Sequence, residues 1–173
     1  MAVQIASQDP NYEEMVFKFI EHFYFIALAM NKSGNDGMWD EEDGFYYDIL
    51  RLPDGRTQRL KVRSLVGLLP LCATTVVEEW QRKRIPRSIG SITERIRRIP
   101  ELKASIHPTG PNHYGEAERG ILALVNPERL RRILTKMLDE NEFLGSHGIR
   151  SISKFHEQHP YIVNIGDQEY RVD

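Results

Sequence analysis

Along the first third of the chain, apolar residues recur at helical spacing: Tyr12, Val16, Phe19, Ile20, Phe23, Ala27 and Met30, with Phe17, Phe25 and Leu28 on the other side. This pattern predicts a helix over "DPNYEEMVFKFIEHFYFIALAMN", capped by Asp9, with Pro10 in the first turn, where no amide donor is needed. Apolar surface on two sides is the mark of a helix sandwiched between neighbours, and the Gly and Asn breakers of "NKSGNDG" end it. The pattern then changes. "GFYYDILRLPDGRTQRLKVRS" holds two strand-like runs around "PDG", where Pro53 presets φ and Gly55 tolerates a positive φ; it predicts a β-hairpin over about residues 45–63. "SLVGLLPLCATTVVEEW" is apolar nearly all round until Glu78, so it reads as a central helix capped by Ser64 and bent or divided at Pro70.

The second half follows the same rules. "SITERIRRIPELKASI" predicts a shorter amphipathic helix, stopped or bent at Pro100, and "HPTGPNHYGEAERG" a polar loop. "NPERLRRILTKMLDENEFLG" has every mark of a helix: Asn126 as cap, Pro127 in the first turn, Gly145 after the end, and a stripe of Leu130, Ile133, Leu134, Met137 and Leu138. "YIVNIGDQEYRVD" reads as a second hairpin turning at "GD". No internal repeat and no low-complexity tract interrupts the chain. The expectation is a mainly α fold with an inserted hairpin near 45–63 and a short C-terminal hairpin.

Composition narrows the class. The 173 residues suffice for one domain with a core, and 40% hydrophobic with 28% charged residues is ordinary for a globular protein. A net charge of −2 supplies no field that would draw the chain to nucleic acid. The single Cys72 excludes an internal disulfide and reads as a small core residue. No apolar run approaches the roughly 18 residues of a membrane span, and "MAVQIASQDP" lacks the features of a signal peptide. A cytoplasmic protein without membrane or nucleic-acid partners is expected.

The candidate chemistry centres on "MWDEEDGFYYDIL". Asp40, Glu41, Glu42, Asp43 and Asp48 crowd around Gly44 and four large aromatics, Trp39, Phe45, Tyr46 and Tyr47. Neighbouring carboxylates repel, so they need solvent, cations or a hydrogen-bonding ligand. One reading is a sugar site, with rings stacking on the sugar and carboxylates taking its hydroxyls; the other is a solvated loop leading into a strand whose aromatics pack inward. Arg63 and Ser64 lie where the hairpin passes into the expected central helix. Either they form an anion-attracting helix N-terminus facing the acidic residues, or Arg63 simply pairs with one of those residues. The seven basic residues between Arg82 and Arg98 are punctuated by Glu94 and read as a solvated face with ion pairs. His113, His147, His156 and His159 match no metal-ligand spacing. No phosphate loop and no nucleophile elbow is present, so no metal and no cofactor is expected.

The string "GMWDEEDGFYYDILRLPDGRTQRLKVRSLVGLLPLCA" closely resembles a segment of bacterial enzymes similar to glycoside hydrolase family 63, a group with α-glucosidases and mannosylglycerate hydrolases. "RLRRILTKMLDENEFLGSHGIRSISKFHEQHPY" followed by "EYRVD" resembles the next part of the same proteins. The likeness runs over nearly the whole chain and is weakest over residues 80–120. It implies a partial domain of an (α/α)6 toroid, 1–173 being a central segment, and inverting hydrolysis of an α-glycosidic bond. It places Trp39, Asp40, Asp43, Phe45, Tyr46, Asp48, Arg63 and Ser64 at the sugar-binding mouth, with an oligosaccharide or small glycoside as ligand. In these enzymes the catalytic acid precedes the matched stretch and the general base follows it, so neither falls on a numbered residue. The chain is therefore expected to be inactive alone, and either to self-associate or to need the missing toroid segments. The alternative is a non-catalytic helical domain that binds carbohydrate or protein.

Overall fold

A computed structural model describes residues 1–32, 34, 36–99, 115, 118–166 and 168–173. The expected break at Pro100, most of the loop over 107–120 with His113, and Asp167 of the second turn lie outside the described residues. The chain divides into two units, Met1–Met30 with Ala73–Asn126, and Asn31–Cys72 with Pro127–Asp173.

The first unit contains helices α1 (Ala2–Ala6) and α2 (Glu13–Asn31, all but its last residue), then α3 (Glu79–Arg84) and α4 (Pro86–Arg98). Asp9 does cap the start of the long helix, its carboxylate accepting from the Asn11 N–H at 3.0 Å, but the first turn, Pro10–Tyr12, is a 3-10 turn. Ala6, Val16 and Ile85 make a small buried cluster, flanked by Val3, Ile20 and Ile89. Glu13 is buried against the first turn of α4: Oε1 accepts from the Ser88 N–H at 2.9 Å, and the Glu13 carbonyl accepts from the Ser88 hydroxyl at 2.7 Å. A carboxylate placed on amides that the helix leaves free satisfies both partners. In contrast, Phe19, Phe25 and Ile26 of α2 are exposed.

The second unit is built from tight hairpins. β1 (Trp39–Asp40) pairs antiparallel with β2 (Phe45–Tyr46), and β3 (Asp48–Arg51) with β4 (Thr57–Leu60). The second of these is the hairpin read from "PDG", shorter than the expected 45–63 because Phe45 and Tyr46 pair with β1 instead: Gly55 adopts φ +83°, and its N–H donates to the Leu52 carbonyl at 2.9 Å. After the 3-10 helix Leu65–Cys72 the chain passes to the first unit, in which β5 (Thr74–Val77) pairs with β6 (Gly120–Ala123), and it returns to the second with α5 (Pro127–Met137). Two further hairpins follow, β7 (Leu144–Gly145) with β8 (Gly148–Ile149), and β9 (Tyr161–Ile165) with β10 (Gln168–Val172).

The structure corrects the expected fold class. Among the described residues, ten strands form five separate two-stranded antiparallel sheets between the helices, so the fold is mixed α and β and not a mainly α (α/α)6 toroid. The decisive local misreading is the central helix over 64–80. Pro70 has no N–H to give an α-helical ladder, and the run Thr74–Val77 is β-branched throughout, so the segment divides into a 3-10 helix and a strand. The 3-10 segment is not central either: Leu65, Val66 and Leu69 are exposed, while Gly67, Leu68 and Pro70 face inward. The α5 helix ends at Met137 rather than running to Gly145, because "DEN" folds into a turn in which the Glu142 and Leu144 N–H groups both donate to the Asp139 carbonyl.

Candidate functional site

The four-residue loop between β1 and β2 carries Glu41, Glu42, Asp43 and Gly44. Gly44 takes φ +64° and donates its N–H to the Asp40 carbonyl at 2.9 Å, while Asp40 Oδ1 accepts from the Asp43 N–H at 2.9 Å. The rings beside this loop face inward. Phe45 and Tyr46 are 0% and 1% exposed, and Trp39 and Tyr47 are buried as well. Phe45 stacks on Phe143 with centroids 5.5 Å apart and meets Tyr47 edge-on at 5.4 Å; Trp39 meets Tyr46 edge-on at 4.9 Å. Gly67 closes the packing, since a Cβ there would lie 2.3 Å from Phe45 Cε1. Trp39, Phe45 and Tyr46 are therefore the core of this unit, with no free face for a sugar ring.

The carboxylates are answered by three cations spaced two residues apart, Arg59 on β4 and Lys61 and Arg63 just after it. Beyond the end of β4 at Leu60, the Val62 and Ser64 N–H groups donate to the Leu60 and Val62 carbonyls in two tight turns. Arg59 Nη1 donates to Asp40 Oδ2 at 2.9 Å, and Lys61 Nζ lies 3.0 Å from that oxygen and 3.1 Å from Asp43 Oδ2. Arg63 Nη2 reaches Asp43 Oδ1 at 3.2 Å, and its Nη1 reaches Glu142 Oε1 at 2.5 Å. Of the two readings of Arg63, pairing with an acidic residue is the one observed; no α-helix begins at Ser64, which instead forms a bridge with Ile152. Asp48 is exposed on β3, opposite Leu60.

Arg63 is the centre of this network. Its Nε donates to the Tyr47 hydroxyl at 3.3 Å, which in turn donates to Asp43 Oδ2 at 3.1 Å, and its guanidinium lies 3.7 Å from the Phe155 ring centroid. Glu142 Oε2 accepts from the Ser153 hydroxyl at 2.5 Å. The Arg63 N–H donates to His156 Nε2 at 2.9 Å, and the Arg63 carbonyl accepts from the Ser153 N–H at 2.8 Å. On the outer side of the loop, Arg132 of α5 donates to Glu41 Oε1 at 2.9 Å and to the Glu41 carbonyl at 2.6 Å, and Arg129 lies over the Trp39 ring at 4.7 Å.

Protonation follows from this pairing. Burial pushes the Asp40 carboxyl up, but the Asp43 N–H, Lys61 and Arg59 outweigh it and hold the group below the ordinary carboxylate value. Burial likewise raises Asp43, and Lys61, Tyr47 and Arg63 bring it below that value. Burial lowers Lys61, and the two aspartates outweigh this and raise it. Burial raises the Tyr47 phenol, so it stays protonated as a donor. The cluster can hold charge and hydrogen-bond a polar ligand at its open side, where the Lys61 side chain is 41% exposed and that of Asp43 21%. Neither Asp40 nor Asp43 is poised as a proton donor, a role that needs a raised value.

The sequence pointed to Asp40, Asp43 and Arg63, and to Tyr47 as one ring of the stretch, but not to Arg59, Lys61, Arg129, Arg132, Glu142, Ser153 or His156 as members of this network. The alternation Arg59-Leu60-Lys61-Val62-Arg63 opposite an acidic loop, and the Arg129–Arg132 spacing on one helix face, were the available signals. Among the described residues, no group of three or more His, Cys, Asp or Glu side chains could hold a metal ion, and no helix is long and apolar enough to cross a membrane.

The chain is 36% identical over 185 aligned positions to the uncharacterized protein YMR196W of Saccharomyces cerevisiae, in an alignment covering 99% of this chain and 17% of that protein. It thus spans about one sixth of that relative's length. No family model matches the chain, and no solved structure matches it.

Proposed function

We propose that this chain is a segment of a glycoside hydrolase acting on α-glycosidic bonds, inverting in the complete enzyme, and that it supplies polar substrate contacts rather than the acid–base pair. The observation that carries this reading is the half-exposed Lys61 held 3.1 Å from Asp43, with Arg63 and Tyr47 fixing Asp43 from behind. An ammonium that donates beside a carboxylate that accepts suits the vicinal hydroxyls of an oligosaccharide or small glycoside. The likeness of residues 37–73 to family 63 enzymes supports the α-glycosidic bond as the target. Inverting hydrolysis needs two carboxyls roughly 6.5–9.5 Å apart on opposite faces of the sugar, one of them protonated. Asp40 and Asp43 come from one loop and are held ionised, so that pair belongs to other parts of a longer protein.

The test is hydrolysis of an α-glucoside by the chain alone and by the chain joined to the flanking segments of a full-length homologue. Turnover only in the longer protein, with kcat/KM reduced about tenfold or more by Lys61→Ala at unchanged melting temperature, supports the reading. Release of glucose by the chain alone, or none by the longer protein, overturns it. A second reading, a non-catalytic domain that binds carbohydrate or protein in the cytoplasm, is favoured by the depressed carboxyls of the cluster; it requires sugar or partner binding without turnover in both forms. Exposed Leu65, Val66 and Leu69 are the surface on which self-association, or cover by further segments of the longer protein, would occur.

A further inference from the structure

Among the described residues, His156 is an ionisable side chain of the network without an ion pair. It is 2% exposed. Its Nε2 accepts the Arg63 N–H at 2.9 Å, and its Nδ1 lies 3.0 Å from the His159 carbonyl oxygen. A backbone N–H can only donate and a carbonyl can only accept, so the ring is neutral with its proton on Nδ1. Both nitrogens are used, and among the described residues no carboxylate forms an ion pair with the ring.

The Arg63 N–H meets the ring from the segment after β4, while the Arg63 guanidinium lies over the neighbouring Phe155 ring; Phe155 meets the His156 ring edge-on, the His159 carbonyl faces Nδ1, and Ser153 offers a carbonyl to the His156 N–H at 3.2 Å. Glu142, a carboxylate of the network, is bound by Arg63, Lys136 and Ser153. Lys154, Glu157 and the His159 ring are exposed on the same segment.

We propose that His156 is an acid-sensitive latch that holds Arg63, and through it the Asp43 loop, against the segment 142–156. A second proton on Nε2 would set one N–H against another where the Arg63 N–H now finds its acceptor. The ring must then leave, and the Arg63 backbone, whose carbonyl binds Ser153 and whose side chain spans Asp43 and Glu142, loses its anchor. The proposal goes beyond the glycosidase reading and stands without it, since its readout is structural.

The test is heteronuclear NMR of the purified protein titrated from pH 8 to 5, the range over which imidazoles commonly change charge. Three results are expected: an Nδ1–H tautomer for His156 at pH 8, protonation of that ring within the titration, and a concurrent loss of about tenfold in Arg63 amide protection after correction for intrinsic exchange, the scale of one hydrogen bond. An Nε2–H tautomer, a ring that stays neutral throughout, or protonation without change at Arg63 each overturns the proposal. His156→Gln, which keeps an acceptor and cannot titrate, should remove the Arg63 response. If that variant does not fold, the wild-type titration alone decides.

Discussion

Arg63 and Glu142, 79 positions apart in sequence, meet through Nη1 and Oε1 at 2.5 Å, with both side chains almost fully covered. The pair joins the acidic hairpin to the segment after α5. Removing Arg63 leaves Glu142 to Lys136 and Ser153 and Asp43 to Lys61, so the loss reaches at most the roughly 3–5 kcal/mol that a wholly unanswered buried charge costs. Arg63→Ala is therefore expected to lower stability by up to that amount in urea unfolding, and Arg63→Lys by nearly as much, because an ammonium cannot reach Asp43, Glu142 and Tyr47 together or lie flat on Phe155. A loss under about 1 kcal/mol for Arg63→Ala would show that the network is slack.

The depressed carboxyls of Asp40 and Asp43 set the sign of an acid effect. Both groups hold protons less readily when folded than when unfolded. Their contribution to stability is complete above the ordinary carboxylate value of 3.8 and is lost as pH falls through the lower folded values. Urea midpoints should thus drop below about pH 4, and Asp40→Asn should start lower and fall less steeply there. An Asp40→Asn midpoint as acid-sensitive as wild type would remove Asp40 from the account.

What was legible in the sequence was local. "PDG" specifies its own turn, and the hairpin forms as its residues dictate. The acidic loop was legible as a concentration of charge, and Arg63 as a partner for it. Glu142 and His156 were not, because nothing in a chain records which residue 79 or 93 positions away will face Arg63. The rings of Phe45, Tyr46 and Tyr47 were ambiguous for a different reason: three consecutive buried aromatics break the alternation of a one-sided strand, and both of their faces are covered only after the 3-10 helix and α5 are in place.

The glycines separate close approach from conformational freedom. At Gly67 a Cβ would meet Phe45 Cε1 at 2.3 Å and the Tyr46 carbonyl oxygen at 2.4 Å, so Gly67→Ala should cost about 1–3 kcal/mol or more through overpacking. At Gly90, within α4, nothing lies within 4 Å and the backbone is helical, so Gly90→Ala should stabilise by about 0.8–1 kcal/mol. Thermal unfolding of the two variants should move in opposite directions. Equal shifts would mean that the space around Gly67 relaxes freely.

The last prediction separates a sugar platform from a core. If Phe45 stacked on substrate, Phe45→Ala would weaken binding and leave the fold intact. Phe45 is 0% exposed, packs on Phe143, and would touch any side chain placed at Gly67. Its truncation is expected to cost about 3–5 kcal/mol, enough to unfold a domain of ordinary stability. Lys61→Ala should behave in the opposite way. Its side chain is 41% exposed and pairs with carboxylates that Arg59 and Arg63 still hold, so stability should change little while affinity for a glycoside falls. The two variants are compared by urea unfolding and by calorimetric titration with maltose in the longer protein. A stable Phe45→Ala variant with lost binding would return the ring to the ligand. A Lys61→Ala variant that binds maltose like the parent would leave the Asp43–Lys61 pair with a structural role alone.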